Sequence, residues 1–155
     1  AGAIALQSSE LYVTDRGSVY FFTNHAGDDG GAIRIYDNSE GNVLGNVSFE
    51  GNRADDSGGA IDLRSKSIIH LDGTMSFMGN EATKNGGAIY INIDSNASFG
   101  GKTMFANNAA EFGGVVCVVR ESNASFGGET MFANNTAEFG GAVYVFEGSN
   151  ASFGG

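Results

Sequence analysis

Apolar and polar residues alternate over short stretches of this chain, and the alternating stretches recur at a nearly constant interval. Ile61 and Leu63 form one apolar pair separated by a polar residue, and Ile89 and Ile91 form the equivalent pair 28 residues later. A period of two is typical of a β-strand, whose successive side chains point to opposite faces. No segment shows the 3.6-residue period of an amphipathic helix. The pattern therefore predicts an all-β protein.

Two linked motifs mark each copy of the repeat. The motif Gly-Gly-(Ala/Val)-(Ile/Val) begins at Gly30, Gly58, Gly86, Gly113 and Gly140, at steps of 28, 28, 27 and 27 residues. F-x-x-N-x-A precedes it, beginning at Phe21, Phe49, Phe77, Phe105 and Phe132. The opening AGAIAL is a further copy of the first motif. A repeat of this length indicates a repeat architecture.

Residue parity predicts three short strands in each copy. In the strand that follows the glycine pair, the inward set is Ile33, Ile35, Ile61, Leu63, Ile89, Ile91, Val116, Val118, Val143 and Val145. The outward set of that strand is Arg34, Asp62, Tyr90, Cys117 and Tyr144. A second strand ends at the Phe of F-x-x-N. A third strand carries the apolar column Val43, Leu71, Phe99, Phe126 and Phe153.

Three short strands joined by Gly and Asn corners predict one turn, or rung, of a parallel β-solenoid. Equivalent residues of successive rungs then stack at about 4.8 Å. Leucine-rich repeats need a Leu pattern that is absent here, and a propeller blade needs about 40 residues. We expect residues 1–155 to form a single array of about five and a half rungs, as a segment of a longer repeat protein.

The invariant Asn and Gly columns have structural explanations. Stacked amides are expected to form an interior ladder that satisfies corner backbone groups, from Asn24, Asn52, Asn80, Asn108 and Asn135. Corners that need positive φ or close backbone approach favour glycine, at Gly31, Gly59, Gly87, Gly114 and Gly141.

The two motifs together resemble the repeat of the chlamydial polymorphic outer membrane proteins. FMGNEATKNGGAIY and FEGNRADDSGGAID carry the resemblance most clearly. It implies a right-handed parallel β-helix on the cell exterior, which in the chlamydial proteins is an autotransporter passenger involved in adhesion. The implied localisation is extracellular or at the cell surface.

Charge and composition narrow the possible partners. The net charge is −10, and the eight Lys and Arg residues are scattered, which argues against nucleic acid. No run of about 18 apolar residues occurs, so this segment contains no predicted membrane span. The single Cys117 cannot form an internal disulfide, and it is either a thiol covered by a neighbour or a link to another chain.

Candidate chemistry is sparse. Glycoside hydrolysis needs clustered carboxylates about 5 to 10 Å apart, whereas the outward column offers one Asp, Asp62, beside Arg34. His25 and His70 lie in different segments. We therefore predict no enzyme and no cofactor. Two alternatives stay open: non-catalytic rungs of a carbohydrate-active enzyme, and a glycan-binding module that uses Tyr36, Tyr90 and Tyr144 as platforms.

Two kinds of surface site are compatible with the pattern. Asp28 of one turn is expected above Asp56 of the next, which makes them calcium candidates, although a solvated acidic turn also explains them. N-x-S/T sequons make glycosylation candidates of Asn46, Asn96, Asn123, Asn134 and Asn150.

The function that these expectations favour is structural. The chain opens within the Gly-Gly-Ala-Ile pattern and stops part-way through the next rung, so we expect an interior section or a unit whose ends join others. Expected partners are other copies of the chain or other surface proteins, end to end, and host or matrix glycans. The sequence predicts a noncatalytic extracellular solenoid, either the rod of a cell-surface adhesin or a subunit of a surface filament.

Overall fold

The computed structural model describes residues 1–15 and 17–154, which form strands and turns without a helix. The first rung contains β1 (Ile4–Gln7), β2 (Glu10–Val13), β3 (Ser18–Phe22) and β4 (His25–Ala26). The second contains β5 (Ile33–Tyr36), β6 (Glu40–Val43), β7 (Asn46–Glu50) and β8 (Arg53–Ala54). The third contains β9 (Ile61–Arg64), β10 (Ile68–Leu71), β11 (Met75–Met78) and β12 (Glu81–Ala82).

The same order continues in the later rungs. The fourth rung contains β13 (Ile89–Asn92), β14 (Asn96–Phe99), β15 (Thr103–Ala106) and β16 (Ala109–Phe112). The fifth contains β17 (Val116–Val118), β18 (Asn123–Phe126), β19 (Thr130–Ala133) and β20 (Thr136–Phe139). β21 (Val143–Val145) and β22 (Asn150–Phe153) begin the next turn.

Equivalent strands of successive rungs pair in parallel, and the described residues thereby form four sheets. Sheet A holds β1, β5, β9, β13, β17 and β21, and sheet B holds β2, β6, β10, β14, β18 and β22. Sheet C runs from β3 to β19 and sheet D from β4 to β20. The register follows the motifs, as in Ile61 beside Ile89 and Phe49 beside Phe77. The predicted parallel β-solenoid is confirmed.

Each of the first five rungs contains a fourth strand in addition to the three that the sequence predicts. It forms sheet D at the Asn-x-Ala end of F-x-x-N-x-A, and in β4, β8 and β12 it is only two residues long. Two residues cannot display an alternation of period two. The sequence pattern was therefore too short to reveal this strand.

Stacked phenylalanines fill the interior. The rings of Phe49 and Phe77 lie 4.7 Å apart and nearly parallel, and Phe99 stacks on Phe126 in the same way. The two columns meet edge to face, with Phe99 and Phe105 5.7 Å apart at 72°. Aromatic pairs of these geometries contribute about 0.5–1.5 kcal/mol beyond the burial of their surface. The repeat thus places the same favourable contact in every rung.

The glycine pair serves two different needs. The first glycine has positive φ, as at Gly86 (φ 62), where a side chain would be strained. The second approaches the next rung closely: a Cβ at Gly87 would lie 2.3 Å from the carbonyl oxygen of Gly114. The corner at Gly86 and Gly87 therefore depends on glycine at both positions.

The Asn column forms a hydrogen-bonded ladder. Asn80 Nδ2 donates to Asn108 Oδ1 at 3.0 Å and to the Phe49 carbonyl at 3.0 Å. Asn80 Oδ1 accepts the backbone N–H of Asn52 at 3.1 Å and its Nδ2 at 2.9 Å. Both amide hydrogens and the amide oxygen are thus used, which allows the side chain to be buried.

A serine ladder runs parallel to it at the start of sheet B. The N–H of Ser39 donates to Ser67 Oγ at 3.1 Å, and the N–H of Ser67 donates to Ser95 Oγ at 3.2 Å. The same bond joins Ser95 to Ser122 and Ser122 to Ser149. These hydroxyls satisfy backbone groups at a corner where strand pairing is interrupted.

Candidate functional site

Three of the five residues in the outward column of sheet A are covered, and Arg34 and Tyr144 are half-buried. Asp62 and Cys117 are fully buried and Tyr90 is 9% exposed. The corner before each sheet A strand folds over this column, and its cover residues Ser57, Asn85 and Phe112 pair in parallel from rung to rung. Parity gave the direction of these side chains correctly, but it carried no information about a cover.

The first half of the covered column is an ion-pair cluster. Asp62 Oδ1 accepts Arg64 Nη2 at 2.6 Å and Arg64 Nε at 3.0 Å, and Arg34 Nε lies 3.2 Å from Asp62 Oδ2. Asp29, also buried, lies 2.9 Å from Arg64 Nη2 and 3.3 Å from Arg34 Nη2. Burial raises the pKa of Asp62 to about 7, against the opposing effect of Arg64. Burial also raises the pKa of Asp29.

This cluster is enclosed rather than open to a ligand. Arg34 and Arg64 lie over the Tyr36 and Tyr90 rings, at 5.3 Å and 5.6 Å from the ring centroids. The Asp62 carboxylate is therefore shielded by cations and aromatic rings. A general acid or base must come within hydrogen-bond reach of its substrate. Asp62 is buried beneath these side chains, so a polysaccharide could not come within that distance.

The calcium candidates lie next to this cluster. Carboxylate oxygens of Asp28, Asp29 and Asp56 fall within 4.8 Å of one another. Basic side chains already pair with these carboxylates. Arg34 Nη1 lies 3.4 Å from Asp28 Oδ2, and Lys84 Nζ lies 3.1 Å from Asp56 Oδ1. A calcium ion would have to compete with these ion pairs, so calcium binding at Asp28 and Asp56 stays a prediction.

The second half of the covered column is apolar. Tyr90, Cys117 and Val119 form a buried cluster against which Phe112 and Tyr144 pack. Cys117 Sγ lies 3.8 Å from Asn85 Oδ1, and burial raises the pKa of the thiol to about 12. Of its two sequence interpretations, the structure matches a thiol covered by its neighbours.

A groove opens above this apolar half. It has a volume of about 260 Å³, its walls are Tyr90, Phe112, Tyr144 and Phe146, and its rim carries Arg120 and Glu147. We refer to it as the aromatic groove. Phe112 and Tyr144 lie 5.3 Å apart at 56°, and Tyr144 and Phe146 lie 6.3 Å apart. At the rim, Arg120 Nε is 3.4 Å from Glu147 Oε2.

The tyrosine platforms predicted from the sequence need correction. Tyr90 is buried, so it offers only part of one wall rather than a free platform. Tyr36 lies two residues after Arg34, beside the covered column, and its hydroxyl donates to Gln7 Oε1 at 3.2 Å. Tyr144 does contribute to the groove, together with Phe112 and Phe146, which sequence reasoning did not select.

The sequon asparagines are all exposed. Asn123 Nδ2 donates to Asn96 Oδ1 at 2.9 Å, and Asn150 Nδ2 donates to Asn123 Oδ1 at 3.2 Å, so three of them form an outer ladder on sheet B. Asn46 lies on sheet C, and Asn134 lies in the turn after β19. Glycosylation at these five positions stays a prediction.

The histidines lie on separate sheets. His25 Nε2 lies 2.9 Å from Asp55 Oδ1 on the exposed side of sheet D, and His70 Nδ1 lies 2.7 Å from Ser98 Oγ on sheet B. The structure does not bring them together.

No helix long and apolar enough to cross a bilayer occurs in residues 1–15 and 17–154.

Comparison with protein families gives a match to two segments, residues 46–63 and 74–92. Both match the Chlamydia polymorphic membrane protein repeat. Each segment runs from a sheet C strand through the Asn ladder and the glycine corner to the next sheet A strand. The repeat and the solenoid fold together fit a protein of the outer membrane or cell surface. No curated protein and no solved structure gave a match.

Neither the aromatic groove nor the serine ladder was predicted from the sequence, and the reasons differ. The serine column Ser39, Ser67, Ser95, Ser122 and Ser149 is visible in the sequence at the repeat interval. Ser is common at turns, however, and nothing marked these hydroxyls as buried. The groove combines residues of three successive turns, and its signal is the appearance of Phe112 where the earlier copies have Ser57 and Asn85.

Proposed function

We propose that this chain is a noncatalytic extracellular β-solenoid that serves as the rod of a cell-surface adhesin or as a subunit of a surface filament. The observation that carries this proposal is the continuity of the columns: the Phe, Asn and Ser ladders pass from rung to rung. These ladders stabilise an extended stack of rungs, and they do not line a pocket. Each rung contacts mainly its neighbours, which makes stability approximately additive along the rod.

Outward side chains differ from rung to rung, whereas the interior columns keep the same residue types. On sheet C, three residue types occupy the four equivalent outward positions Tyr20, Ser48, Ser76 and Met104. Tyr20 is 73% exposed and Met104 is 39% exposed. Exposed aromatic and Met side chains are common at protein contacts. A surface of this kind supports a role in contact with other molecules.

The competing hypothesis is a set of non-catalytic rungs from a carbohydrate-active enzyme. The charged cluster that most resembles a catalytic arrangement, Arg34 with Asp62, is enclosed by its own rung neighbours. An enzyme of this class would therefore need catalytic residues in rungs other than these. The ion pairs hold the corner against sheet A.

Two measurements test the proposal. Analytical ultracentrifugation with electron microscopy reports whether the purified chain remains a short rod or assembles into filaments. Beads coated with the chain, compared with beads coated with albumin, report binding to cultured cells. Cell binding by a monomeric rod indicates an adhesin, and assembly indicates a filament subunit. A monomer whose beads bind no better than albumin would contradict both forms.

A further inference from the structure

The aromatic groove lies on the outer side of the covered column, and one of its walls, Phe112, also stacks on Phe139 of the next rung at 5.1 Å. Phe146 is 56% exposed, and the side chains of the rim residues Arg120 and Glu147 pair with each other rather than with the Phe, Asn or Ser ladders. We propose that this groove binds a single neutral pyranose unit of a glycan. The inference rests on the proposed surface function and names the class of ligand.

Size and shape match one sugar ring. The groove volume of about 260 Å³ lies just under the about 300–1,000 Å³ of sites for drug-sized ligands. Phe112, Tyr144 and Phe146 present tilted ring faces rather than one flat sheet. A pyranose has an apolar face of C–H groups that can lie against an aromatic ring, while its hydroxyls point to the edge.

Hydrogen-bonding groups stand where those hydroxyls would lie. The rim pair of Arg120 and Glu147 offers N–H donors beside carboxylate acceptors, and both side chains are about half exposed. Asn85 adds an amide at the inner end, held in place by its Nδ2 donating to Ser57 Oγ at 3.0 Å. Sugar hydroxyls both donate and accept, so neighbouring groups of both kinds suit them.

Charge favours a neutral sugar. Glu147 balances Arg120 at the rim, so the groove lacks the uncompensated cation that an acidic glycan would need. The net charge of −10 further disfavours polyanions. A peptide that adds a strand would bind along the backbone of a sheet edge, whereas the groove is walled by side chains on the outer face of sheet A.

The experiment uses the whole chain and three probes: the methyl glycosides of glucose, galactose and mannose. Titration followed by NMR should show saturable shifts in groove residues for at least one glycoside. Phe146→Ala removes an exposed wall and should weaken binding about tenfold or more, as expected for an aromatic contact at a binding site. Tyr20→Ala, which removes another exposed aromatic side chain, on sheet C, is the control and should leave the affinity unchanged.

The outcomes separate the groove from the wider function. Absence of saturable shifts with all three glycosides, equal binding by Phe146→Ala, or binding of peptides instead would overturn the groove proposal. If Phe146→Ala beads still bind cells as well as unmodified beads, the surface role stands and the groove is not its contact. If unmodified beads do not bind cells although the glycosides bind the groove, the adhesin role fails and the sugar site stands.

Discussion

Asn80 and Asn108 are joined by two hydrogen bonds to one oxygen: Asn108 Oδ1 accepts Asn80 Nδ2 and the Asn80 backbone N–H, each at 3.0 Å. One side chain therefore satisfies both the amide and the corner backbone of the previous rung. The column as a whole fixes the register of the stack, because a shifted rung would leave these groups without partners.

Replacing Asn80 with Ala should destabilise the chain strongly. The change leaves the backbone N–H of Asn52 and the carbonyl of Phe49 buried without these partners. Each buried unsatisfied group costs about 1–3 kcal/mol, so for these two groups we expect a loss of about 2–6 kcal/mol in the free energy of unfolding. Urea denaturation measures it. Asn96→Ala, in the exposed ladder, is the control, and an equal loss there would contradict a special role for the interior ladder.

Gly87 and Gly141 allow a matched test of the close approach between rungs. A Cβ at Gly87 would lie 2.3 Å from the Gly114 carbonyl oxygen, whereas at Gly141 the nearest atom is 3.7 Å away. Gly87→Ala should therefore cost about 1–3 kcal/mol or more through overpacking, and Gly141→Ala should change stability little. Thermal melting of the two variants decides, and equal melting temperatures would show that the spacing between rungs adjusts without cost.

The repeat made the fold predictable from the sequence, whereas the covered column of sheet A and its groove could not be predicted. Columns such as Phe49 and Phe77 repeat residue type at a fixed interval, and stacking explains that uniformity directly. The burial of Asp62 could not be read in the same way, because the residues of the covering corner change type from rung to rung. A period-two pattern reports which face a side chain occupies, and it does not report what lies above that face.

Ile93 occupies a position that suits it poorly. It has φ 54, and a β-branched residue at positive φ is strained. Ile93→Asn should raise the free energy of unfolding by about 0.5–1 kcal/mol, because Asn tolerates the left-handed region better. Ile93→Val, equally β-branched, should give no gain. A stabilisation by Val as large as that by Asn would point to packing rather than backbone strain.

Cys117 should be inert in the folded chain. It is fully buried, and burial raises the pKa of its thiol to about 12, so the reactive thiolate is scarce at neutral pH. We expect slow alkylation by iodoacetamide at pH 8 and rapid alkylation after denaturation, followed by mass spectrometry. Rapid modification of the native chain would instead show that the cover formed by Phe112 and Asn85 opens readily.

The buried Asp62 predicts an unusual dependence of stability on pH. Its pKa rises from 3.8 to about 7 in the folded chain, because burial disfavours the charged form. The folded state therefore holds a proton that the unfolded state has already released. The stabilising contribution of this group is complete below pH 3.8 and is lost as the pH rises through about 7.

Asp62→Asn removes that titration while keeping the shape of the side chain. The difference in unfolding free energy between the unmodified chain and Asp62→Asn should decrease as the pH rises from 4 towards 8. Urea denaturation at a series of pH values measures this difference, in which titrating groups outside the cluster cancel, whereas Asp29 shares Arg64 with Asp62 and contributes to it. A difference that instead grows with pH would mean that Arg34 and Arg64 outweigh burial and keep Asp62 ionised in the folded state.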